Sequence, residues 1–244
     1  MAKRWAIGAS PARSGASPAS AARAPKPRTA AAQAPDVVQA LEDDIIFGRL
    51  RPDDRLVEDQ LMERYGAKRH VVRQAFAELE KLGIVQREPN KGARIRAFSP
   101  KEVADIYDMR ALLQGHAAML VPMPAPPPLM ETLEAIHAAH SQAVDAQDLR
   151  AVFQLNNAFH DAIFSACGND LLAEEIRRFL MMAHAIRSYR IGDPTLLRQA
   201  RDEHAQMLDY LRSGERGAFV RLCAAHIEPS RRAYLMATAE AAAD

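Results

Sequence analysis

Only one stretch of this sequence carries apolar residues at alternating spacing. Ile84-Val85-Gln86-Arg87 and Ala93-Arg94-Ile95-Arg96 read as two short strands, joined through Glu88-Pro89-Asn90-Lys91-Gly92, a loop whose glycine suits a hairpin. A lone hairpin is marginal in water and must lean on other elements. The segments before it supply helices. Val37, Leu41, Ile45 and Ile46 recur at helical spacing and stop near Gly48. Arg51-Pro52-Asp53-Asp54 marks a turn. A second helix runs from Glu58 to Tyr65 and ends at Gly66. A third starts near His70, with Val72, Ala75, Phe76, Leu79 and Leu82 on one stripe and Gly83 beyond its end. Helix, helix, tight turn, helix, hairpin is the order of a winged helix-turn-helix, assigned here to residues 36–98.

After the hairpin no strand pattern returns. Ser99-Pro100-Lys101-Glu102 combines a capping box with proline at the first helical position, so a helix and a second domain, residues 99–244, begin together. The spacing predicts helices over about 100–120, 127–146, 148–167, 170–190, 194–213 and 215–239, with Pro229 expected to kink the last. The expected fold class is mostly α: a winged helix-turn-helix followed by an all-α antiparallel six-helix bundle. The two domains are expected to have separate cores.

Residues 1–35 are rich in Ala, Pro, Ser and Arg. They carry six basic residues and no acidic one, and predict a disordered basic tail that adds non-specific attraction to DNA phosphates. No apolar run approaches the 18 or so residues of a membrane span, and that segment has no apolar centre of the kind a secretory signal needs. The two cysteines, Cys167 and Cys223, stand far apart among apolar residues, which argues against a disulfide framework and for a reducing cytoplasm.

Two residue patterns carry chemistry. Arg69 and Arg73 lie one turn apart at the start of the third helix, beside its apolar stripe, in a stretch with no carboxylate between Glu63 and Glu78 that also holds Arg64, Lys68 and His70. A helix entering the major groove needs this arrangement: cations at its N-terminal end and an apolar face behind them. Residues 36–99 carry as many acids as bases, so the argument rests on local clustering and motif order rather than on net charge. In the second domain His160, His204 and His226 each interrupt an apolar stripe on a different predicted helix, and Asn156 lies one turn from His160. Polar groups on three core stripes point to a shared interior site, and converging imidazoles to a divalent metal ion. No Glu or Asp stands out beside these histidines as a general base.

The order Pro52-x-x-x-Leu56-x-Glu58-x-x-Leu61, Tyr65 to Phe76, Leu79-x-x-Leu82-Gly83-Ile84-Val85 and Lys91-Gly92 resembles the GntR family of bacterial regulators. The resemblance implies that Arg69 and Arg73 contact double-stranded operator DNA, that the wing at Lys91 and Gly92 touches the minor groove, and that Lys68 and His70 hold positions of phosphate-contacting residues. The chain departs from the usual pattern at Asp53 (a turn glycine), Asp59 (often a DNA-contacting base) and Val71 (a proline). The second domain resembles the FCD effector domain of the FadR-type members, through Asn156-x-x-Phe159-His160, Ala166 to Leu172, Glu203-His204 and His226. That resemblance implies zinc or nickel on Asn156, His160, His204 and His226, with open coordination positions for water or the carboxylate of an organic-acid effector. It also matches Arg110 to an arginine common in the domain's first helix, where it would bind an effector carboxylate, although Gln114 replaces the usual glutamate. Arg187, with Tyr189 and Arg190, is placed along the same cavity. A homodimer, a non-enzymatic repressor and no membrane partner follow from the same likeness. Two alternatives stay open on the residues alone: a metal-dependent hydrolase, and a direct metal sensor using the three histidines.

Overall fold

The computed structural model describes residues 33–88 and 92–241. All but the last three residues of the expected basic tail fall outside them, as do Pro89, Asn90 and Lys91 of the wing loop. Helix α1 spans Ala34–Ile46 and starts two residues earlier than its apolar stripe suggested, with the Gln33 N–H donating to Asp36 Oδ2 at 2.8 Å. Helices α2 (Glu58–Tyr65) and α3 (Arg69–Lys81) follow. Gly66 closes α2 in the left-handed conformation, φ +63°, which a side-chain-bearing residue adopts at a cost.

The hairpin pairs β2 (Val85–Glu88) with β3 (Gly92–Ile95), antiparallel, with Val85 opposite Ile95 and Arg87 opposite Ala93. A two-residue strand, β1 (Arg55–Leu56), adds to the other edge of β3 and makes the sheet order β1-β3-β2. Sequence periodicity had no means to show it, because two residues cannot display a period. The preceding turn sets it in place: Arg51 N–H donates to Asp54 Oδ2 at 2.7 Å, and Asp53 N–H donates to the Ile95 carbonyl at 2.9 Å.

The second domain holds eight described helices, not six: α4 (Pro100–Leu120), α5 (Pro127–Asp145), α6 (Leu149–Ser165), α7 (Asp170–Met182), α8 (His184–Ile191), α9 (Pro194–Ser213), α10 (Arg216–Ala225) and α11 (Glu228–Ala241). The capping box at Ser99 is present, with Glu102 Oε2 accepting from the Ser99 N–H at 2.9 Å and Ser99 Oγ accepting from the Glu102 N–H at 3.3 Å. The expected last helix breaks after Ala225 because Pro229 brings no N–H to the Ala225 carbonyl and its ring would clash there. The expected fourth helix breaks at Ala183 for a tertiary reason. The change of direction lets α7 pack on α4 and α6 while α8 packs on α1 and α11.

The expectation of separate cores is also overturned. One apolar cluster runs from Val37, Leu41 and Leu79 of the winged domain through Phe98 into Val103, Tyr107, Ile186, Ile227 and Tyr234 of the helical domain. Tyr234 crosses the boundary, its hydroxyl donating to the Phe98 carbonyl at 3.1 Å. The end of α1 reaches further: Ile46 is buried against Val144, Val152, Phe153, Ile191 and Leu197. The ion pair Arg150–Asp43, 2.7 Å, ties α6 to α1 beside it. Helix α1 is therefore shared by both domains, because its apolar residues serve two partners on opposite sides.

Candidate DNA interface and histidine centre

Helix α3 buries Val72, Ala75, Phe76 and Leu79 and presents Arg69, His70, Arg73 and Gln74 to solvent, with exposed Lys68 at its N-cap. Backbone N–H groups at that end add positive potential, which suits a phosphate. Gly92 is exposed at the base of the wing. Arg64 has a different task. It pairs with buried Asp44 at 2.7 Å, and Asp44 also accepts from the Tyr65 hydroxyl at 2.6 Å, so both residues pin α2 to α1.

The two α3 arginines face carboxylates of α2. Arg69 meets Asp59 at 2.5 Å and Glu58 at 3.6 Å; Arg73 meets Glu58 at 2.8 Å. The hydrogen bond from Arg73, helped by the nearby positive charges, holds the Glu58 carboxyl below its ordinary range. Asp59, a carboxylate where the resemblance implies a basic residue, thus holds Arg69 in an ion pair.

In the helical domain the three histidines meet. His160 of α6, His204 of α9 and His226, the C-cap of α10, are all buried and offer nitrogens within 4.8 Å of one another. His160 Nε2 lies 3.2 Å from His226 Nε2. Two imidazole nitrogens on a tetrahedral ion with ordinary 2.0–2.1 Å bonds sit about 3.3 Å apart. A carboxylate does stand beside them, on the outer side: Glu203 Oε2 lies 2.5 Å from His226 Nδ1. A proton on that nitrogen fixes the tautomer and turns the Nε2 lone pair toward His160. This is the outer-shell arrangement that orients metal-bound histidines. Glu203 holds the outer nitrogen and so does not act as a base on the inner side. It adjoins His204 in sequence, but its partner stands 23 positions later, which no spacing rule shows.

A cavity of about 50 Å³ adjoins the histidines, room for a few water-sized groups. Asn156, His160 and His226 line it together with Arg110 and Arg187. Arg110 is only 4% exposed, lies over the Tyr107 ring at 4.7 Å, and its Nε and Nη1 meet no hydrogen-bond acceptor among the described residues. Burial pulls its guanidinium below the ordinary value. Arg187 donates to Asn157 Oδ1 at 2.8 Å and stacks over Phe153. Buried His184 is held well below its usual value by burial and then by the charges of Arg187 and Arg110. The side chains of Tyr189 and Arg190 lie outside the described residues. Cys167 and Cys223 are buried free thiols.

Comparison with known proteins gives the following. The family of bacterial regulatory proteins designated gntR matches residues 33–95, and the FCD domain matches residues 105–229. The HTH-type transcriptional repressor GlaR of Escherichia coli (strain K12) is 31% identical over 156 residues, covering 59% of this chain and 67% of the relative. The HTH-type transcriptional regulator YdhC of Bacillus subtilis (strain 168) is 28% identical over 166 residues, covering 64% and 72%. Among solved structures, E. coli McbR/YncC superposes with a TM-score of 0.73 at 19% identity, covering 84% of this chain and 98% of that one. A GntR transcriptional regulator from Rhodococcus sp. RHA1 gives 0.69 at 22%, with the same coverage. Among the described residues no helix is long and apolar enough to cross a membrane.

Proposed function

This chain belongs to the GntR family of bacterial regulatory proteins that carry an FCD domain, and from that premise we propose that it is a repressor whose grip on operator DNA is released by a small carboxylate. That it is a DNA-binding transcriptional regulator and not an enzyme follows from the family. The rest is our reading of its residues.

Arg69 and Arg73 read base edges in the major groove, Lys68 and His70 hold phosphates, and Lys91 and Gly92 bring the wing to the minor groove. The protein acts in the cytoplasm as a homodimer, which sets two copies of α3 on a pseudo-palindromic site. The exposed apolar stripe Met109, Leu112, Met119 and Leu120 on α4 supports self-association, since such a stripe on a helix is otherwise left in water.

The observation that carries the effector reading is Arg110: a buried guanidinium with open donors, beside a cavity shared with Arg187 and two of the converging histidines. A carboxylate there would satisfy the donors and neutralise the charge. The cavity suits the smallest organic acids. Asn156, His160, His204 and His226 would hold a divalent ion, zinc or nickel, and the 3.2 Å Nε2–Nε2 spacing with the Glu203 bond fits them to that task. Such an ion supplies a Lewis-acidic position that a carboxylate oxygen can occupy. Coupling to DNA needs no separate device. Val152, Phe153, Ile191 and Leu197 line the cavity and also pack on Ile46 of α1. A ligand that displaces them shifts α1, and α1 packs on the recognition helix.

The test is fluorescence anisotropy on an operator fragment selected from genomic DNA with the purified protein. Acetate, lactate and malonate are titrated into metal-loaded and chelator-stripped samples. Release by one of them from the loaded protein supports the reading. Release by metal alone, without any carboxylate, would instead make the chain a direct metal sensor.

A further inference from the structure

Two histidines of α5 are not among the inner ligands, although one of them, His140, lines the same cavity. His137 and His140 are one turn apart, on the face that also buries Leu133 and Val144. His140 is buried and His137 half-buried. Both rings approach His204, with centroids at 6.5 Å for His137 and 5.1 Å for His140. One nitrogen from each of the three lies within 4.8 Å of the other two, the same closeness that defines the inner trio. His204 is thus common to two triads, an imidazole between two pairs of imidazoles. The Nδ1 of His137 is buried yet finds no hydrogen-bond partner among the described residues.

Both rings face the helix that carries His204. Helix α5 lies against α6 and α9, so burying two ring nitrogens there carries a desolvation cost that a bound ion would offset. Arg201, the cation closest in effect to His137, is engaged by Asp145 at 3.1 Å and Asp202 at 3.0 Å, so its charge is compensated.

We infer that His137, His140 and His204 form a second binding site for a divalent transition-metal ion, outside the inner centre and sharing His204 with it. Three neutral imidazoles select zinc, nickel, cobalt or copper over magnesium and calcium, which take oxygen ligands. When both sites are filled each ring nitrogen of His204 serves one ion, and its N–H proton leaves to solvent. The second ion is therefore the weaker of the two. Partial exposure of His137 gives the outer site access to solvent that the buried inner trio lacks. This reading depends on the proposed inner centre only through His204.

Chelator-stripped full-length protein is titrated with Zn²⁺, and bound metal is counted by native mass spectrometry. Wild type should take two ions per chain. His137→Ala, at a half-buried position, should take one, as should His140→Ala. The double variant His160→Ala/His226→Ala should keep the outer ion and lose the inner one. Co²⁺ absorption bands should show the same loss of one site in His137→Ala. Wild type saturating at one ion, or His137→Ala still taking two, overturns the outer site. A double variant that loses no ion would overturn the inner centre instead.

Discussion

Replacing Asp59 by Asn should tighten DNA binding while leaving the fold alone. The carboxylate is 73% exposed and the Arg69 side chain 51% exposed, so their 2.5 Å pair contributes no more than about 1 kcal/mol to stability. That contribution must be surrendered when Arg69 turns to DNA. The remaining carboxylate also repels phosphate: at about 7 Å in water the repulsion is about 0.6 kcal/mol, less in salt. Together the two effects predict a gain of about 1 kcal/mol, roughly fivefold in affinity. The gain should appear on random duplex as well as on operator, because neither term depends on sequence. The slope of log K against log salt should steepen by nearly one phosphate contact. Anisotropy at several salt concentrations on both duplexes reads all three quantities, and thermal melting checks the fold. Weaker operator binding by Asp59→Asn would refute the reasoning. It would show that the carboxylate presets Arg69 for base reading rather than competing for it.

Asp53 has φ +69°, in the turn position where the sequence lacks the expected glycine, so Asp53→Gly should raise stability by about 0.5–1 kcal/mol in thermal or denaturant unfolding. The Glu102 carboxyl is pulled down to about 2 by the Ser99 N–H, then by Arg96 and the Ser99 hydroxyl. Its folded value lies below the ordinary 4.5, so this stabilisation is complete above about pH 4.5 and is lost as pH falls toward 2. After discount for exposure, Glu102→Gln should cost no more than about 1 kcal/mol at pH 7 and flatten the acid limb of the stability curve. Leu112, 65% exposed on α4, should be essential to the dimer: Leu112→Glu is expected to give a monomer in sedimentation and a large loss of operator affinity.

The sequence disclosed the elements whose residues repeat a period. The stripes of α1 and α3, the hairpin and the Ser99 cap all carry their cause within a few residues. What escaped depends on distant partners. Strand β1 exists only because β3 offers an edge. Helices α7 and α8 part at Ala183 because they pack on different neighbours. Ile46 appeared to be one more apolar residue of α1, yet it lines the other domain. Arg69, Arg73, His160, His204 and His226 are legible because each breaks an apolar stripe or flanks one, whereas Arg110 stands out only through the family resemblance. His137 and His140 break the α5 stripe in the same way, beside Leu133 and Val144, so their signal was present and unread. Glu203 and Asp59 both stood out as residues, but their pairings with His226 and Arg69 did not, because only the folded protein brings each to its partner.

The central claim, that a carboxylate in the Arg110 cavity controls the grip on DNA, is tested most directly by one titration. Metal-loaded wild type and Arg110→Met are bound to the selected operator fragment and titrated with the small carboxylate that releases wild type. The account predicts that Arg110→Met binds the operator as well as wild type, because Arg110 lines the interior cavity and not the exposed face of α3, and that its release needs at least tenfold more carboxylate. Release of Arg110→Met at the same carboxylate concentration as wild type would contradict it.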